Sequence, residues 1–486
     1  MLARTTKGIR VATFPEYEDL DALGLGELID EGEVSAAEVM EAAIERMEAL
    51  NPKLNVMVEP LYDQARAAAK SSAPGPLQGV PYLMKNLGLM MEGVRCTQGS
   101  RLFADFRSDH DSDFVRRLRA AGLNIFGTTN SPEFGLNSTT EPAAHGVTRN
   151  PWNLDFSPGG SSGGAAAAVA AGIVPAAHGS DGGGSIRIPS SNCGLVGLKV
   201  SRGRTPSGPD VGEGWAGLSN EHALTRTVRD SAALLDAVHG PAPGDPYFAK
   251  PPARTFLDEV GSNPGKLRIG MMTAPPDGRG VDSECVAAAE YAAKLCEDLG
   301  HKVEIAAPEF DIEAMFEAMR VVIAGNVRRD VELGLKALGR GFEEGDTEKI
   351  SQVWGEEGLK YTARDFADAL WTIHSIGRAF GAFFSRHSVL LTPTLGKVPL
   401  KLGARPMDGG DLDAYYAFQG QVIPFTAPFN VAGAPAISLP LGATADGMPI
   451  GVQFGAASGS EAVLLRLASQ LEEAAPWEDK RPQGLG

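Results

Sequence analysis

The sequence is poor in cysteine and has no cysteine pair in a short motif. Its 486 residues include only four, which are Cys96, Cys193, Cys285 and Cys296. No two of them have the C-x-x-C spacing of zinc and redox sites, so neither a disulfide framework nor a structural zinc site is expected. We predict four reduced, buried thiols, and a protein that uses no metal and no cofactor.

Long hydrophobic runs are also lacking. The longest apolar stretch, residues 165–174, is mostly alanine, and it is about half the roughly 20 residues that a bilayer-spanning helix needs. Residues 1–11 carry basic side chains without an apolar segment behind them, so no secretory signal is predicted. We therefore expect a cytoplasmic protein that does not enter a membrane.

Basic residues are outnumbered by acidic ones. Lys and Arg total 44 against 61 Asp and Glu, which gives a formal net charge of −17. Such a surface repels phosphate backbones and does not attract anionic ligands. We predict that nucleic acid is not a partner and that the substrate is a neutral or cationic small molecule.

What the sequence does contain is an alternation of helical and strand patterns. A capping box of Ser35 and Glu38 predicts a helix over residues 35–50. Residues 80–83 and 124–127 have the composition of strands, and residues 113–121 between them that of a helix. This order predicts an α/β fold with crossover connections.

Two loops rich in glycine and serine stand out from this background. The first, residues 159–164, formally matches the G-x-S-x-G nucleophile elbow. A nucleophile elbow needs an apolar strand before it and a histidine as base. The residues before this loop are turn-like, and none of the eight histidines has a telling context for that role. The loop is also not a phosphate-binding loop, because the required Lys-Ser/Thr after the glycines is missing. A flexible linker is disfavoured too, since the loop opens directly onto an alanine-rich helix.

The second loop, residues 180–185, carries more chemical information. Its three consecutive glycines allow several backbone N–H groups to converge on one point, as an oxyanion hole requires, and Ser185 follows as a candidate nucleophile. A serine needs a base, because its hydroxyl is hardly ionised at neutral pH. Lys85 follows an apolar run, and burial there would disfavour its charged form.

Five motifs in order resemble the amidase signature family, and together they carry a much stronger signal than any one of them. They are GVPYLMKN at 79–86, GTTNSPEF at 127–134, SPGGSSGG at 157–164, GSDGGGSIRIP at 179–189 and CGLVGLK at 193–199. Shorter family-like pieces continue to residue 453. The resemblance implies one large domain with a central mixed β-sheet flanked by helices on both faces.

The resemblance also implies a role for each matching residue. Lys85 would be the base, Ser161 a bridging serine after a cis peptide bond, and Ser185 the nucleophile. The oxyanion hole would consist of the backbone N–H groups of Gly182, Gly183, Gly184 and Ser185. Asp181 and Arg187 flank the nucleophile and are expected to pair as scaffold. Replacing Gly183 or Gly184 is then expected to cost nearly as much activity as losing a member of the triad.

One departure from the family pattern lies beside the lysine. Lys85 is followed by Asn86 where many relatives have Asp, and we expect the amide to support the lysine by hydrogen bonding. We predict that residues 1–75 form a helical segment packed on the core. Residues 76–486 would form the signature domain, with its core at 79–200. Residues 311–384 would be a helical excursion that walls the active site, and the whole would be effectively one domain.

Segments outside the signature are expected to select the substrate. Residues 148–154 and 421–451 resemble the branch that contains nylon-oligomer cyclic-dimer hydrolases, with urethanases nearby. This implies a bulky, neutral amide, anilide or carbamate, and pocket walls from residues 203–221, 314–328 and 396–410. Two alternatives remain, a glutaminase subunit of an amidotransferase and a non-catalytic binding protein. A monomer or homodimer is expected.

Overall fold

The fold is built on one large mixed β-sheet. The computed structural model describes residues 14–71, 74–404, 407, 409–483 and 485. The segment tested for a secretory signal, and small parts of 1–75 and 396–410, lie outside these residues. The strands are β1 (Met57–Pro60), β2 (Pro81–Lys85), β3 (Asn124–Thr129), β4 (Ala176–Asp181), β5 (Val196–Lys199), β6 (Asn220–Thr225), β7 (Arg268–Met271), β8 (Lys302–Ile305), β9 (Val389–Pro393), β10 (Ala436–Ala443) and β11 (Pro449–Gly455).

The α-helices cover both faces of this sheet, and buried apolar clusters fill the space between the layers. They are α1 (Ala22–Asp30), α2 (Ala36–Leu54), α3 (Tyr62–Ala68), α4 (Asp113–Ala120), α5 (Gly163–Ala170), α6 (Arg187–Cys193), α7 (Val228–Val238), α8 (Ser283–Asp298), α9 (Ile312–Leu338), α10 (Lys349–Glu357), α11 (Ala363–Phe384), α12 (Leu412–Val422), α13 (Ala427–Ala432) and α14 (Glu461–Ala474). The predicted α/β class and two-sided helical cover are confirmed.

The sheet has parallel pairs on either side of a central antiparallel series, and its edge strand β1 is antiparallel to β3. Its strand order is β1-β3-β2-β4-β6-β5-β10-β11-β9-β7-β8. Strand β2 runs parallel to β3 and β4, whereas β4, β6, β5, β10 and β11 form an antiparallel series. The loops that follow β2 and β4 therefore emerge at the same edge of the sheet, which is where the candidate catalytic residues lie.

Most predicted elements are present close to their expected bounds. Helix α2 begins after Ser35, and the capping box with Glu38 is formed in both directions. The four cysteines are free and buried, as predicted. The helical excursion is also present, as α9, α10 and α11, with α11 packed behind α9.

Three expectations about the elements were wrong. The second glycine loop was expected to span 180–185, but its first two residues belong to β4, in the middle of the sheet. The expected pocket wall 203–221 is not a loop to its end, because its last two residues begin β6 (Asn220–Thr225), which pairs with both β4 and β5. The N-terminal segment is not purely helical, because β1 pairs with β3 at the edge of the sheet.

No helix in the described ranges is long and apolar enough to cross a bilayer. Among the same residues no cluster of three or more His, Cys, Asp or Glu side chains has the arrangement of a metal site.

Candidate active site

Lys85 is the last residue of β2, and its side chain points into a buried, polar space. It is 2% exposed. Its Nζ lies 2.7 Å from Ser161 Oγ and 2.8 Å from Ser180 Oγ. Two hydroxyl groups therefore fix the position of the amine, one from the loop before α5 and one from β4.

Burial lowers the pKa of Lys85 from its usual 10.5 to about 7, and the nearby carboxylates of Glu221 and Asp181 offset part of this effect. Desolvation penalises the charged ammonium, whereas the neutral amine loses much less when it leaves water. A substantial fraction of the lysine is therefore neutral near pH 7, and a neutral amine can accept a proton.

Ser161 sits in a closely packed loop that leads into α5. The peptide bond between Gly160 and Ser161 is cis, as the resemblance implies. A Cβ atom on Gly160 would lie only 2.5 Å from the carbonyl oxygen of Thr139 and 2.6 Å from that of Asn137. Only glycine fits this position, because two rigid backbone carbonyl groups leave no room for a side chain.

Ser185 lies in the turn between β4 and α6, and the carbonyl groups of its three central residues, 183–185, accept hydrogen bonds from the protein. Thr426 Oγ1 donates to the Gly183 oxygen at 2.8 Å. The Ile188 and Ser162 N–H groups donate to the oxygens of Gly184 and Ser185, at 2.6 and 3.2 Å. Since the carbonyl groups point into the protein, the turn has one fixed conformation.

The N–H groups of the same turn are oriented differently. Within the described part of the chain, those of Gly183, Gly184 and Ser185 donate to no other protein atom. Gly184 has φ +142°, which L side chains rarely adopt, and a Cβ there would meet Thr426 Oγ1 at 2.6 Å. The arrangement leaves three adjacent donors available to a substrate oxygen.

Asp181 and Arg187 form a fully buried ion pair beneath this turn. Arg187 donates to both carboxylate oxygens, from Nε at 2.9 Å and from Nη2 at 2.8 Å. Burial by itself would raise the pKa of Asp181, but Arg187 outweighs it and the pKa falls to about 2. The guanidinium also donates to Gln453, Asn430 and the Thr426 carbonyl.

Two cavities meet at Ser185. An inner cavity has no charged residue in its lining, which includes Phe316, Met319, Trp354 and Tyr416. A larger, outer cavity is lined by Ser161, Ser180 and Ser185. The charged residues of its lining are Asp210, Glu213, Glu221, Arg329 and Asp330. The nucleophile thus faces an uncharged space on one side and a predominantly acidic one on the other.

The predicted wall segments supply much of this lining. Residues 203–221 contribute to the outer cavity, and the 314–328 segment contributes Phe316, Met319 and Ile323 to the inner one. The described part of 396–410 lines neither cavity. Its expected place is taken by α12, through Tyr415, Tyr416 and Gln419, because this helix folds back across the end of the pocket.

One other expectation fails beside Lys85. The Asn86 amide bonds Thr97, Thr128 and the Arg95 carbonyl, so it fastens the backbone after β2 rather than the lysine. His178, one of the eight histidines without a telling context in the sequence, is in strand β4 and contacts the Lys85 backbone. Sequence reasoning did not select Ser180 or Glu221, whose only signal is their alternation along strands that were not recognised.

Comparison with known proteins agrees with this geometry. The family model for amidases matches residues 38–465. The chain belongs to the amidase family. This confirms the family predicted from the five motifs, and with it a hydrolase that acts on amide C–N bonds.

Both a curated relative and solved structures resemble this chain over nearly its whole length. A 6-aminohexanoate-cyclic-dimer hydrolase from Paenarthrobacter ureafaciens is 42% identical over 477 residues, which cover 96% of this amidase and 97% of the relative. A structure of 6-aminohexanoate cyclic dimer hydrolase complexed with substrate matches with a TM-score of 0.92 at 41% identity, covering 96% of this chain and 100% of the other. A bacterial aryl acylamidase matches with a TM-score of 0.86 at 28% identity, covering 95% and 99%.

Proposed function

We propose that this amidase hydrolyses a neutral, bulky amide through a seryl acyl-enzyme, with Lys85 as base, Ser161 as proton relay and Ser185 as nucleophile. The observation that carries the proposal is the 2.7 Å contact between Lys85 Nζ and Ser161 Oγ, at the floor of a cavity that also contains Ser185. A buried amine and two hydroxyl groups provide a base, a relay and a nucleophile without histidine.

The proposed reaction has two symmetrical halves. Neutral Lys85 takes a proton from Ser161, which takes one from Ser185 as its Oγ attacks the carbonyl carbon. The C–N bond then breaks, the leaving nitrogen receives a proton from Ser161, and Lys85 returns one to Ser161. Water attacks the acyl-enzyme by the same proton transfers and releases the acid.

The oxyanion hole is assigned to the turn before α6. The N–H groups of Gly182, Gly183, Gly184 and Ser185 are the candidate donors to the tetrahedral intermediate. Support comes from the anchored carbonyl groups of this turn, because donors fixed in advance need no reorganisation during the reaction. Asp181 and Arg187 support the turn from below and take no part in proton transfer.

The cavities favour a substrate with apolar groups on its reacting amide. The uncharged inner lining suits an alkyl or aryl group, and the outer cavity has room for a second bulky group. A cyclic amide such as 6-aminohexanoate cyclic dimer and an anilide are the first candidates, by analogy with the two relatives. A carbamate, whose carbonyl carbon has the same planar geometry, is the third candidate substrate.

The glutaminase alternative fits the inner cavity poorly. A glutamine substrate carries an α-carboxylate and an α-ammonium group, and neither finds a charged partner in that lining. We propose instead a cytoplasmic enzyme that acts alone as a monomer or homodimer. Its migration on a sizing column, measured with its activity, tests this assembly.

The decisive experiment is a substrate panel. Amine release is measured from an anilide, an aliphatic amide, a dicarbamate, 6-aminohexanoate cyclic dimer and glutamine. We expect turnover of the cyclic dimer or the anilide and none of glutamine. Activity on glutamine alone would contradict the proposal.

Variants of the three residues test the mechanism. We expect S185A to abolish turnover, and S161A and K85A each to lower kcat by about 10³-fold or more. Exposed S385A and K294A serve as matched controls that retain full activity. A fluorophosphonate label should attach to Ser185 in the native protein; near-native turnover by K85A at pH 7 would refute the relay.

A further inference from the structure

A buried histidine connects the backbone of Lys85 to a carboxylate in the outer cavity. His178 Nδ1 accepts a hydrogen bond from the Lys85 N–H at 3.3 Å, and Nε2 lies 2.9 Å from Glu221 Oε2. Since Nδ1 accepts, the ring proton of a neutral His178 is on Nε2, which donates it to Glu221. The imidazole therefore has one tautomer and one orientation, and it holds the glutamate in place.

The sheet register places this carboxylate on the lysine's side. Glu221 on β6 pairs directly with Ser180 on β4, and side chains directly opposite each other share one face, with Cβ atoms about 4.5–5.5 Å apart. Ser180 Oγ is the second group in contact with Lys85 Nζ, at 2.8 Å. His178 lies two residues earlier on the same strand and so shares this face.

Glu221 is well shielded from water, although it lines the outer cavity. Its side chain is 15% exposed, and it carries the negative charge that faces His178. A charge in such a place interacts with its neighbours more strongly than a surface charge, since little water lies between them.

We propose that Glu221 and His178 are positioning residues for Lys85: His178 fixes Glu221 and the end of β2, and Glu221 places a negative charge beside the amine. The proposal rests on the proposed role of Lys85 as base. Its effect is to keep the proton affinity of Lys85 high enough for the amine to take a proton from Ser161, because burial alone would weaken it as a base.

The other groups around the lysine leave this assignment to Glu221. From β4, Lys85 faces Asp181, whose charge is already paired with Arg187, and His178. The α5 loop contributes the hydroxyl of Ser161, and on β3 the register partner of Lys85 is the uncharged Thr129. Helix α4 presents the uncharged ring of Phe114 to His178. Two carboxylates therefore act on Lys85, those of Asp181 and Glu221. In the described part of the chain Asp181 is paired with an arginine, whereas Glu221 is paired with no lysine or arginine.

The test is the pH dependence of kcat/KM with an anilide. In the native enzyme we expect activity to rise through an acid limb centred near pH 7, as Lys85 loses its proton. In E221Q the missing charge lowers the pKa of Lys85, and the limb should move down by about 0.5–1 pH unit. For each protein, activity at pH 6 is expressed as a fraction of its own plateau activity. This fraction should be about 3–5 times larger in E221Q than in the native enzyme.

Three further variants distinguish a change in the pKa of Lys85 from a general disturbance of the site. E221D keeps the charge and should restore the native limb. E213Q makes the same change in an exposed residue of the same cavity and should leave the limb in place, whatever its effect on KM. If E221Q is insoluble, H178Q replaces it, because Glu221 then loses its anchor and the limb should move in the same direction.

The pH dependence of fluorophosphonate labelling at Ser185 provides a second readout that needs no substrate. An E221Q limb that coincides with the native one, or an equal shift in E213Q, would overturn the proposal. Absence of turnover and labelling in the native protein would instead reject the proposed function, so the two failures are distinguishable.

Discussion

At the scale of single residues, Gly183 and Gly184 are neighbours in surroundings that differ sharply. A Cβ on Gly184 would collide with Thr426 Oγ1 at 2.6 Å and with Ile188, at a φ of +142°. A Cβ on Gly183 would meet only Ile423 and Met319, each at an ordinary 3.7 Å, on the wall of the inner cavity. The sequence alone predicts equal losses at both positions, whereas the contacts separate them.

We therefore expect G184A to lower kcat by about 10²–10³-fold, since the turn that aims the N–H donors is displaced. G183A should retain kcat within about tenfold and raise KM several-fold for substrates with a bulky group, because its methyl narrows the inner cavity. Steady-state kinetics with a small and a bulky anilide measure both effects. Equal losses of kcat in the two variants would refute this distinction.

Motifs predicted the contact between Lys85 and Ser161, because family motifs mark residues that share a function. They did not predict Ser180 or Glu221. These two residues lie on β4 and β6, where glycine, aspartate and asparagine give a poor strand signal. Because these two strands were not predicted, the shared face and cross-strand pairing of Ser180 and Glu221 could not be predicted either. Asn86 was misplaced for a related reason, since its partner Thr97 lies beyond the motif.

At the scale of elements, one buried guanidinium joins four pieces of the active site. Arg187 on α6 contacts Asp181 of β4, Asn430 of α13 and Gln453 of β11. Breaking a buried pair leaves one uncompensated charge, which typically costs about 3–5 kcal/mol. The pair therefore determines how β4 and α6 meet, and with them the turn that carries Ser185.

We expect R187M to lower the free energy of unfolding by about 3–5 kcal/mol and to abolish activity, as measured by urea denaturation and anilide hydrolysis. The matched control is R66M, which removes an exposed arginine paired with Glu41 and should cost less than about 1 kcal/mol. A loss in R187M no larger than that in R66M would show that the buried pair does not hold these elements together.

The elements that the sequence predicted well are those with a strong local signal, such as α2 with its capping box. The misassigned wall segment has another cause. Helix α12 lies at the pocket because of how the chain after residue 410 packs on α9 and α10, and no local pattern encodes that packing. Polar strands in the centre of a sheet are equally hard to predict from local sequence, since they depend on their neighbours for pairing.

At the scale of the whole molecule, Lys85 is accompanied by a second buried lysine that the reaction does not use. Lys199 at the end of β5 is fully buried, and its Nζ donates to the Val200 carbonyl at 2.8 Å. Burial lowers its pKa from 10.5 to about 7, with Arg187 acting in the same direction. Both lysines are therefore charged in the unfolded chain at pH 8 but largely neutral in the folded one.

We expect the free energy of unfolding to rise with pH around pH 8. There unfolding takes up protons at the two lysines, and each contributes a slope of up to about 1.4 kcal/mol per pH unit. This stability is lost as the pH falls towards 7, where the raised carboxyl pKa values of Asp230 and Glu472, also about 7, oppose the trend. Near pH 9 the four buried cysteines oppose it as well, because burial raises the pKa of each thiol above its usual 9.

Urea denaturation from pH 7 to pH 9 measures this slope. K199M should lower it near pH 8 by up to about 1.4 kcal/mol per pH unit, because one of the two lysines no longer titrates, while K294M at an exposed site should leave it unchanged. A K199M slope equal to the native one would exclude Lys199 as a source. We propose that the chain unfolds as effectively one domain, and a single calorimetric transition in all three proteins is the corresponding expectation.

The two cavities at Ser185 also bear on how this enzyme could acquire new substrates. The groups assigned to the chemistry come from β2, the turn after β4 and the loop before α5, whereas the inner walls come largely from α9, α10 and α12. Bond cleavage and substrate selection thus reside in different parts of the chain. Mutations that reshape the walls can accumulate without disturbing the proton relay, which makes this scaffold a favourable starting point for evolving hydrolases of synthetic amides.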